Sequence, residues 1–404
     1  MHTVRIYPLK NLDRRTRARL KAAQMEAAQV WMYCVERHWQ ARSARVPWPS
    51  RDDLQRETKG GKYALHSQSI QMICQQFLAN VQTIHQLRQR NPRHRYPHHP
   101  KKYLTVQWPA QAVSRQGQRL ILPMGRGRQS FSFPLAELPE QIGAVSLVWN
   151  GGYELHLVVP ALSAASPAVS PGASPDQPVQ ATADLGEIHQ VAITTTSGQG
   201  LIVTGRGMRT IKRQYNKTLG LLARLQSRCR KGSKRWRRLQ YTKERERGKK
   251  ERRVRDLRHK GTRQAVDFCR AAGVQTLYVG DPHGVRNENK GRHHNQRMAQ
   301  WEYGKDKQYL HEKCERVGIV CFSGSERGTS SHCPRCDWKK KPTGRTWTCR
   351  RCGFVGHRDI VGSMNMHPLA FGSRISYPTS LTYRRPGPVR DRWQTKELSP
   401  SGTS

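Results

Sequence analysis

Near the end of the chain two C-x-x-C pairs, Cys333-Pro334-Arg335-Cys336 and Cys349-Arg350-Arg351-Cys352, stand with twelve residues between them. Each pair presents two thiolates on a tight knuckle, and two knuckles close the tetrahedral shell that Zn²⁺ takes. A redox C-x-x-C explains one pair and leaves the other without a purpose. Four protein ligands leave no open position for water, so one structural zinc is expected, with His332 and Asp337 as weak neighbours. The other six cysteines, Cys34, Cys74, Cys229, Cys269, Cys314 and Cys321, are scattered singly. That usage fits a reducing compartment and metal binding, not a disulfide framework.

Charge sets the second constraint. Lys and Arg number 72 against 28 Asp and Glu, a formal net charge of +44. A surface of one sign repels itself unless a polyanion neutralises it. Nucleic acid does so and releases its own condensed counterions in the process. G+C-rich codon usage sets a ratio of Arg to Lys but does not explain the shortage of acids. No run of about 18 apolar residues is present to span a membrane, and the opening MHTVRIYPLK lacks the apolar core of a secretory signal. The expected place is the cytoplasm, at the nucleoid. Only 35% of the chain is hydrophobic, so a large RNA or DNA partner is expected to complete the folded form.

The period of the apolar residues changes along the chain. TVRIYP reads as a strand, and Leu20, Ala23, Ala27, Val30, Trp31 and Cys34 mark a helix from Leu12 to about His38. A second helix over His66–Leu87 places Ile70, Ile73, Phe77, Val81 and Ile84 on one face, with a polar loop between the two. From Tyr103 to Val159 the period is two, with turns such as Asn150-Gly151-Gly152, which predicts a small β-barrel with a helical insertion. Residues 161–180 are Ala, Ser and Pro with hardly a charge and read as a linker. Beyond it come a strand meander, a basic helical stretch over 208–265 broken near Lys231-Gly232-Ser233, a buried strand VQTLYVGD, a helix over Asn295–Val317 and a strand GIVCFSG.

Two aspartates flank this second half. Asp184 lies in Ala183-Asp184-Leu185-Gly186 among apolar strand residues, where a carboxylate is costly unless a cation meets it. Gly186 leaves the backbone open to close approach. Asp359, in His357-Arg358-Asp359-Ile360-Val361-Gly362, opens a helix just after the cysteine pairs, and Gly362 lets that helix lie close to a sheet. Each aspartate alone is as readily a turn or helix cap. Held together, two acids repel, and Mg²⁺ relieves the repulsion while activating water.

A strand with D-L-G, a four-cysteine ribbon approached by Thr329-Ser330-Ser331-His332-Cys333-Pro334, and a helix beginning R-D with a later Asn365 resemble, in this order, the TnpB family. These transposon-associated RNA-guided nucleases are the ancestor group of the small type V CRISPR nucleases and are related to Fanzor proteins. The resemblance implies an α+β, bilobed protein. Residues 1–10 and 103–160 would form a β-barrel wedge, 11–102 a helical recognition domain and 161–180 the linker. Residues 181–325 and 353–367 would form a ribonuclease H-like (RuvC) nuclease, 326–352 the zinc ribbon and 368–404 a disordered tail. It implies a monomer carrying one transposon-encoded guide RNA and cutting double-stranded target DNA beside a short flanking motif. Two Mg²⁺ would be held by Asp184, Asp359 and a glutamate.

That glutamate departs from the family's pattern. Gly280, in Tyr278-Val279-Gly280-Asp281, stands where the family usually carries it. Some members lack it there and carry one just ahead of the ribbon, where Glu326 lies at the end of a strand. Glu302, beside Trp301, and Glu187, three residues after Asp184, are the other candidates; an Arg-paired helical acid is the plainer reading of Glu302. Two further functions share the resemblance: a nuclease-inactive RNA-guided DNA-binding regulator, which gives no reason to keep both aspartates, and a transposase acting by strand transfer.

The run Arg228–Lys260 has too few acids to pair its cations, so phosphate contact is expected there, with Trp236 and Tyr241 either stacking on bases or packing in a core. His94, His98 and His99 lack the acidic partners of a metal cluster.

Overall fold

A computed structural model describes residues 2–59, 61–160, 178–284, 289–340 and 343–387. The chain divides into two compact units, Met1–Leu162 and Ser163–Ser404. The architecture is mixed α+β.

In the first unit, strand β1 (His2–Pro8) is followed by helices α1 (Arg14–Ser43), α2 (Arg51–Glu57) and α3 (Ser67–Arg90). The strands β2 (Val106–Trp108), β3 (Ser114–Gln116), β4 (Arg119–Leu122), β5 (Phe131–Pro134), β6 (Val145–Trp149) and β7 (Tyr153–Pro160) come after them. They build a four-stranded sheet of order β1-β7-β6-β2 and a three-stranded sheet β3-β4-β5. β1 runs antiparallel to β7 from His2↔Pro160 to Pro8↔Glu154, which closes the insertion of the helices. Asp13 starts α1 by accepting from the Thr16 N–H at 2.8 Å. Helices and sheets share one core of Leu20, Trp31, Phe77, Trp108, Leu147 and Leu155. Each such fully buried side chain contributes roughly 1.5–3 kcal/mol. The loop predicted between the two long helices contains α2, which Ser50 and Asp53 start with a reciprocal capping box.

The second unit begins with the meander β8 (Val179–Leu185), β9 (His189–Thr195) and β10 (Gln199–Thr204). A basic hairpin of α4 (Arg206–Ser227) and α5 (Lys234–Ala271) follows, then β11 (Val274–Asp281), α6 (Arg292–Gln300), α7 (Tyr303–Arg316) and β12 (Val320–Ser325). The chain continues through β13 (Thr346–Thr348) and β14 (Val355–His357) to α8 (Arg358–Met364), α9 (His367–Phe371) and β15 (Ser380–Arg384). One six-stranded sheet has the order β12-β11-β8-β9-β10-β15. β11 lies parallel to both β8 and β12, while β9 is antiparallel to β8 and β10. Every residue of β9 is buried, because α5 covers one part of the sheet and α8 packs on β8 and β9.

Three further local expectations change. Most of the expected linker, 161–177, lies outside the described residues, and its last residues, Val179 and Gln180, already belong to β8. The helix expected over Asn295–Val317 is two helices, because Trp301 adopts an extended backbone and turns its ring into the core. The tail expected to be disordered contains α9 and β15, the latter paired parallel to β10 from Gln199↔Ser380 to Val203↔Arg384. Residues 388–404 lie outside the described ones. No helix among the described residues is long and apolar enough to cross a membrane.

Candidate active site and zinc ribbon

Parallel pairing sets the site. Val279 of β11 faces Ala183 of β8, so the next residues, Gly280 and Asp184, come level. On its other side Gly280 faces Gly324 of β12, and Asp281 faces Ser325. Glu326 therefore leaves the end of β12 beside the gap that glycine leaves in β11. A Cβ built on Gly280 would lie 2.4 Å from Glu326 Oε2 and 2.7 Å from Met366 Sδ. The carboxylate from the neighbouring strand fills the space that a side chain at 280 would need. Gly328, at φ +87°, turns the chain after it, and Thr329 Oγ1 donates to the Glu326 carbonyl at 2.9 Å.

Asp359 is brought in by α8. Ser363 Oγ donates to the Thr182 carbonyl at 2.8 Å, and Thr182 Oγ1 donates back to the Ser363 carbonyl at 2.7 Å. These bonds hold α8 flat on β8, and Gly362 permits the approach. A Cβ on Gly362 would lie 2.6 Å from Asp184 Oδ2.

The electrostatics follow from this packing. Asp184 keeps some solvent contact as a residue, yet burial of its carboxyl, then the charges of Glu326 and Asp359, push its pKa well above the usual range. Burial, then the charge of Asp281, pushes Glu326 up to about 7. Its Oε2 is buried with no hydrogen-bond partner. Asp359 behaves oppositely. Burial would raise it, but a hydrogen bond from His189 and the charge of Arg345 outweigh burial and lower it. His189 Nδ1 donates to Asp359 Oδ2 at 2.6 Å, and Arg345 Nη1 lies 3.1 and 3.0 Å from the two carboxylate oxygens.

Of the three glutamates weighed from the sequence, Glu326 is the one brought to Asp184. Glu302 is ion-paired with Arg258 at 3.0 Å and with Lys305; burial opposes this, but the cations hold its pKa at about 2. Arg258 is itself buried and shared with Asp306 at 3.1 Å, so Glu302 belongs to the scaffold joining α5 to α7. Glu187 pairs with Arg209 at 2.8 Å. The sequence reading missed His189 and Arg345. A histidine two residues ahead of the apolar run Val191-Ala192-Ile193 was the available sign for the first, while Arg345 looked like one arginine among many.

An orphaned buried carboxylate oxygen beside a second acid of raised pKa fits a divalent cation, which would satisfy the one and relieve the other. Gly186 has a use beyond the one expected. A Cβ there would lie 2.6 Å from the His189 carbonyl, so its absence lets β8 turn tightly into β9.

The four ribbon cysteines bring their Sγ atoms within 4.8 Å of one another. The pairs Cys333–Cys352 and Cys336–Cys349 are 3.5 and 3.6 Å apart. Zn–S bonds of about 2.3 Å in a tetrahedron put sulfurs about 3.8 Å apart, so this cluster is of the kind that holds structural zinc. Trp347, Phe354 and Val361 pack with the cysteines, and Asn365 Nδ2 donates to the carbonyls of Thr329 and His332 at 2.6 and 2.8 Å. Ribbon and α8 thus share a core. Asp337, exposed, pairs with Arg374, and neither it nor His332 joins the cluster.

A cavity of about 910 Å³ opens beside Gly186 and Glu187, lined by Arg206, Arg209, Lys212, Arg213, Lys217 and Arg297 among others. On α5 Tyr241 is 51% exposed, which removes it from any core, while Trp236 is partly buried. The rings of His98 and His99 lie 3.9 Å apart at a 39° tilt, and neither residue belongs to a metal-type cluster among the described residues.

A family model described as "Cas12f1-like, TNB domain" matches residues 303–366, the segment holding Glu326, the ribbon and Asp359. No curated protein matches the chain in sequence. Among solved structures, the chain is similar to that of a Cas12f1–sgRNA–target DNA complex, with TM-score 0.61 and 12% identity over 88% of this chain and 83% of that one. It is also similar to the mini-RNA-guided endonuclease CRISPR-Cas_phi3, with TM-score 0.50 and 10% identity over 94% of both chains. At these identities the likeness is one of fold.

Proposed function

We propose that this chain is an RNA-guided DNA endonuclease of the TnpB kind, carried by an insertion-sequence transposon, with Asp184, Glu326 and Asp359 as its catalytic carboxylates. The observation that carries the reading is the Glu326 carboxylate standing in the space over Gly280, itself level with Asp184, with Glu326 Oε2 buried and without a hydrogen-bond partner. A fold similar to a Cas12f1 complex with guide RNA and target DNA supports it, as does the net charge of +44.

In this reading Asp184 and Glu326 supply the two carboxylates that a divalent cation draws together, and Asp359 closes the set from α8. Two Mg²⁺ held there would activate water for attack on a phosphodiester and neutralise the leaving oxygen. Glu326, raised to about 7, would lose its proton on holding such an ion. The scaffold pairs Glu302–Arg258 and Glu187–Arg209 keep competing acids out of the centre. The basic faces of α4 and α5 bind phosphates, while base pairing to a transposon-encoded guide reads the sequence. One chain carries one RNA, in the cytoplasm at the nucleoid, and the domain boundaries are those expected from the sequence, apart from the ordered part of the tail and the end of the linker, where Val179 and Gln180 join β8.

RNA is the direct test. Protein purified at moderate salt should carry one defined RNA species, whose sequence maps beside the gene and ends in a variable guide. High salt should strip it and promote aggregation, because phosphate contacts weaken steeply with salt. A monodisperse protein free of RNA at physiological salt contradicts the guided reading.

A further inference from the structure

We infer that His189 is a positioning residue that sets the direction of the Asp359 carboxylate toward the metal centre, an inference that rests on the nuclease reading above. The bond is short, 2.6 Å from Nδ1 to Oδ2, and both side chains are largely enclosed, at 7% and 16% exposed. Its two ends stand on rigid ground. His189 begins the fully buried β9, delivered by the turn that Gly186 permits. Asp359 sits in the first turn of α8, which Thr182 and Ser363 pin to the sheet.

The other groups facing Asp359 serve differently. Arg345 comes from the ribbon, is 37% exposed, and spans both carboxylate oxygens. His357 accepts the Asp359 backbone N–H at 3.3 Å, and burial pushes its pKa down to about 4, so it is neutral. The backbone N–H of His357 donates to Tyr377 Oη at 3.0 Å. Of the two side chains gripping the carboxylate, His189 is the fixed one and Arg345 the one able to swing away. With His189 holding Oδ2, the carboxylate keeps a defined plane when Arg345 leaves. Without it, Arg345 alone sets the carboxylate's orientation, and a cation must compete with a guanidinium for both oxygens. Hydrogen-bond partners of metal-ligating groups act in this way, and their loss costs about 10–100-fold in metal affinity or activity.

The test uses the full chain loaded with its own RNA. Mn²⁺ binding is read by electron paramagnetic resonance, and cleavage of a matched duplex is titrated with Mg²⁺. His189→Ala should weaken Mn²⁺ binding and raise the Mg²⁺ needed for half-maximal cleavage, each by about 10–100-fold, with guided DNA binding unchanged. His189→Asn, whose amide N–H can stand where Nδ1–H stood, should recover most of both. A residue that only supports the fold would lower the folded fraction and leave the Mg²⁺ midpoint of the surviving activity where it was. That result overturns the inference, as does an alanine variant equal to the unaltered protein or no better rescued by asparagine. Unaltered protein that neither binds Mn²⁺ nor cuts removes the nuclease reading, and this inference with it.

Discussion

Glu326→Gln should abolish Mg²⁺-dependent DNA cleavage and leave RNA-guided DNA binding intact. The change removes one charge and keeps the shape, so the fold around Gly280 is undisturbed. The loss should exceed about a hundredfold, because merely misplacing a partner of a metal ligand costs about 10–100-fold. Gly280→Ala should do comparable damage by a different route. Its Cβ would lie 2.4 Å from Glu326 Oε2 and 2.7 Å from Met366 Sδ, so the carboxylate must leave its place. Glu302→Gln and Glu187→Gln should leave the chemistry nearly unchanged, since those acids pair with Arg258 and Arg209 away from Asp184. Joining Glu326→Gln to Asp184→Asn should cost little more than either alone, as expected of groups that act as one unit. A Glu326→Gln protein that cuts normally, beside a silent Glu302→Gln, removes Glu326 from the centre.

Zinc loss should be as damaging through structure alone. One Zn²⁺ per chain is expected, with binding worth on the order of 10 kcal/mol to the folded ribbon. Cys349→Ser, or prolonged chelation, should release the ribbon core of Trp347 and Phe354. Val361 of α8 packs in that same core, so Asp359 loses its seat and cleavage falls with the zinc content. The rest of the sheet, which has its own core around Val191, Ile193 and Leu277, should melt as before. Metal analysis and thermal melting decide this. Zinc well below one per chain in protein never exposed to chelator contradicts the account, and so does full cleavage by a zinc-free protein.

Much of this was legible in the sequence because it rests on local pattern. The cysteine spacing announces the ribbon, and the break at Lys231-Gly232-Ser233 falls between α4 and α5, where Ser233 caps α5. The place of Glu326 was readable from its position at a strand end just ahead of the ribbon, and the topology accounts for it. A missing acid at the end of one strand can be supplied from the end of its parallel neighbour, and β12 is that neighbour. What stayed hidden depends on distant partners. SLTYR, the segment of β15, alternates polar and apolar over only five residues, too short a run to stand out, and is held by its ladder with β10, about 180 residues earlier. His189 and Asp359 stand 170 residues apart and have meaning only once β9 and α8 are packed. Gly186 was read as room for a phosphate, and the tight turn from β8 into β9 that also needs it was not foreseen.

The most direct measurement of the central claim places the RNA-loaded protein on a matched duplex carrying a library of flanking sequences. Mg²⁺, Mn²⁺ or chelator is present, and Asp184→Asn runs alongside. Expected are cutting of a flank-restricted subset with either metal, no cutting with chelator, and binding without cutting by Asp184→Asn. Tight guided binding of the matched duplex by the unaltered protein, with no cut across the library in either metal, would contradict the nuclease reading and leave a DNA-binding regulator in its place.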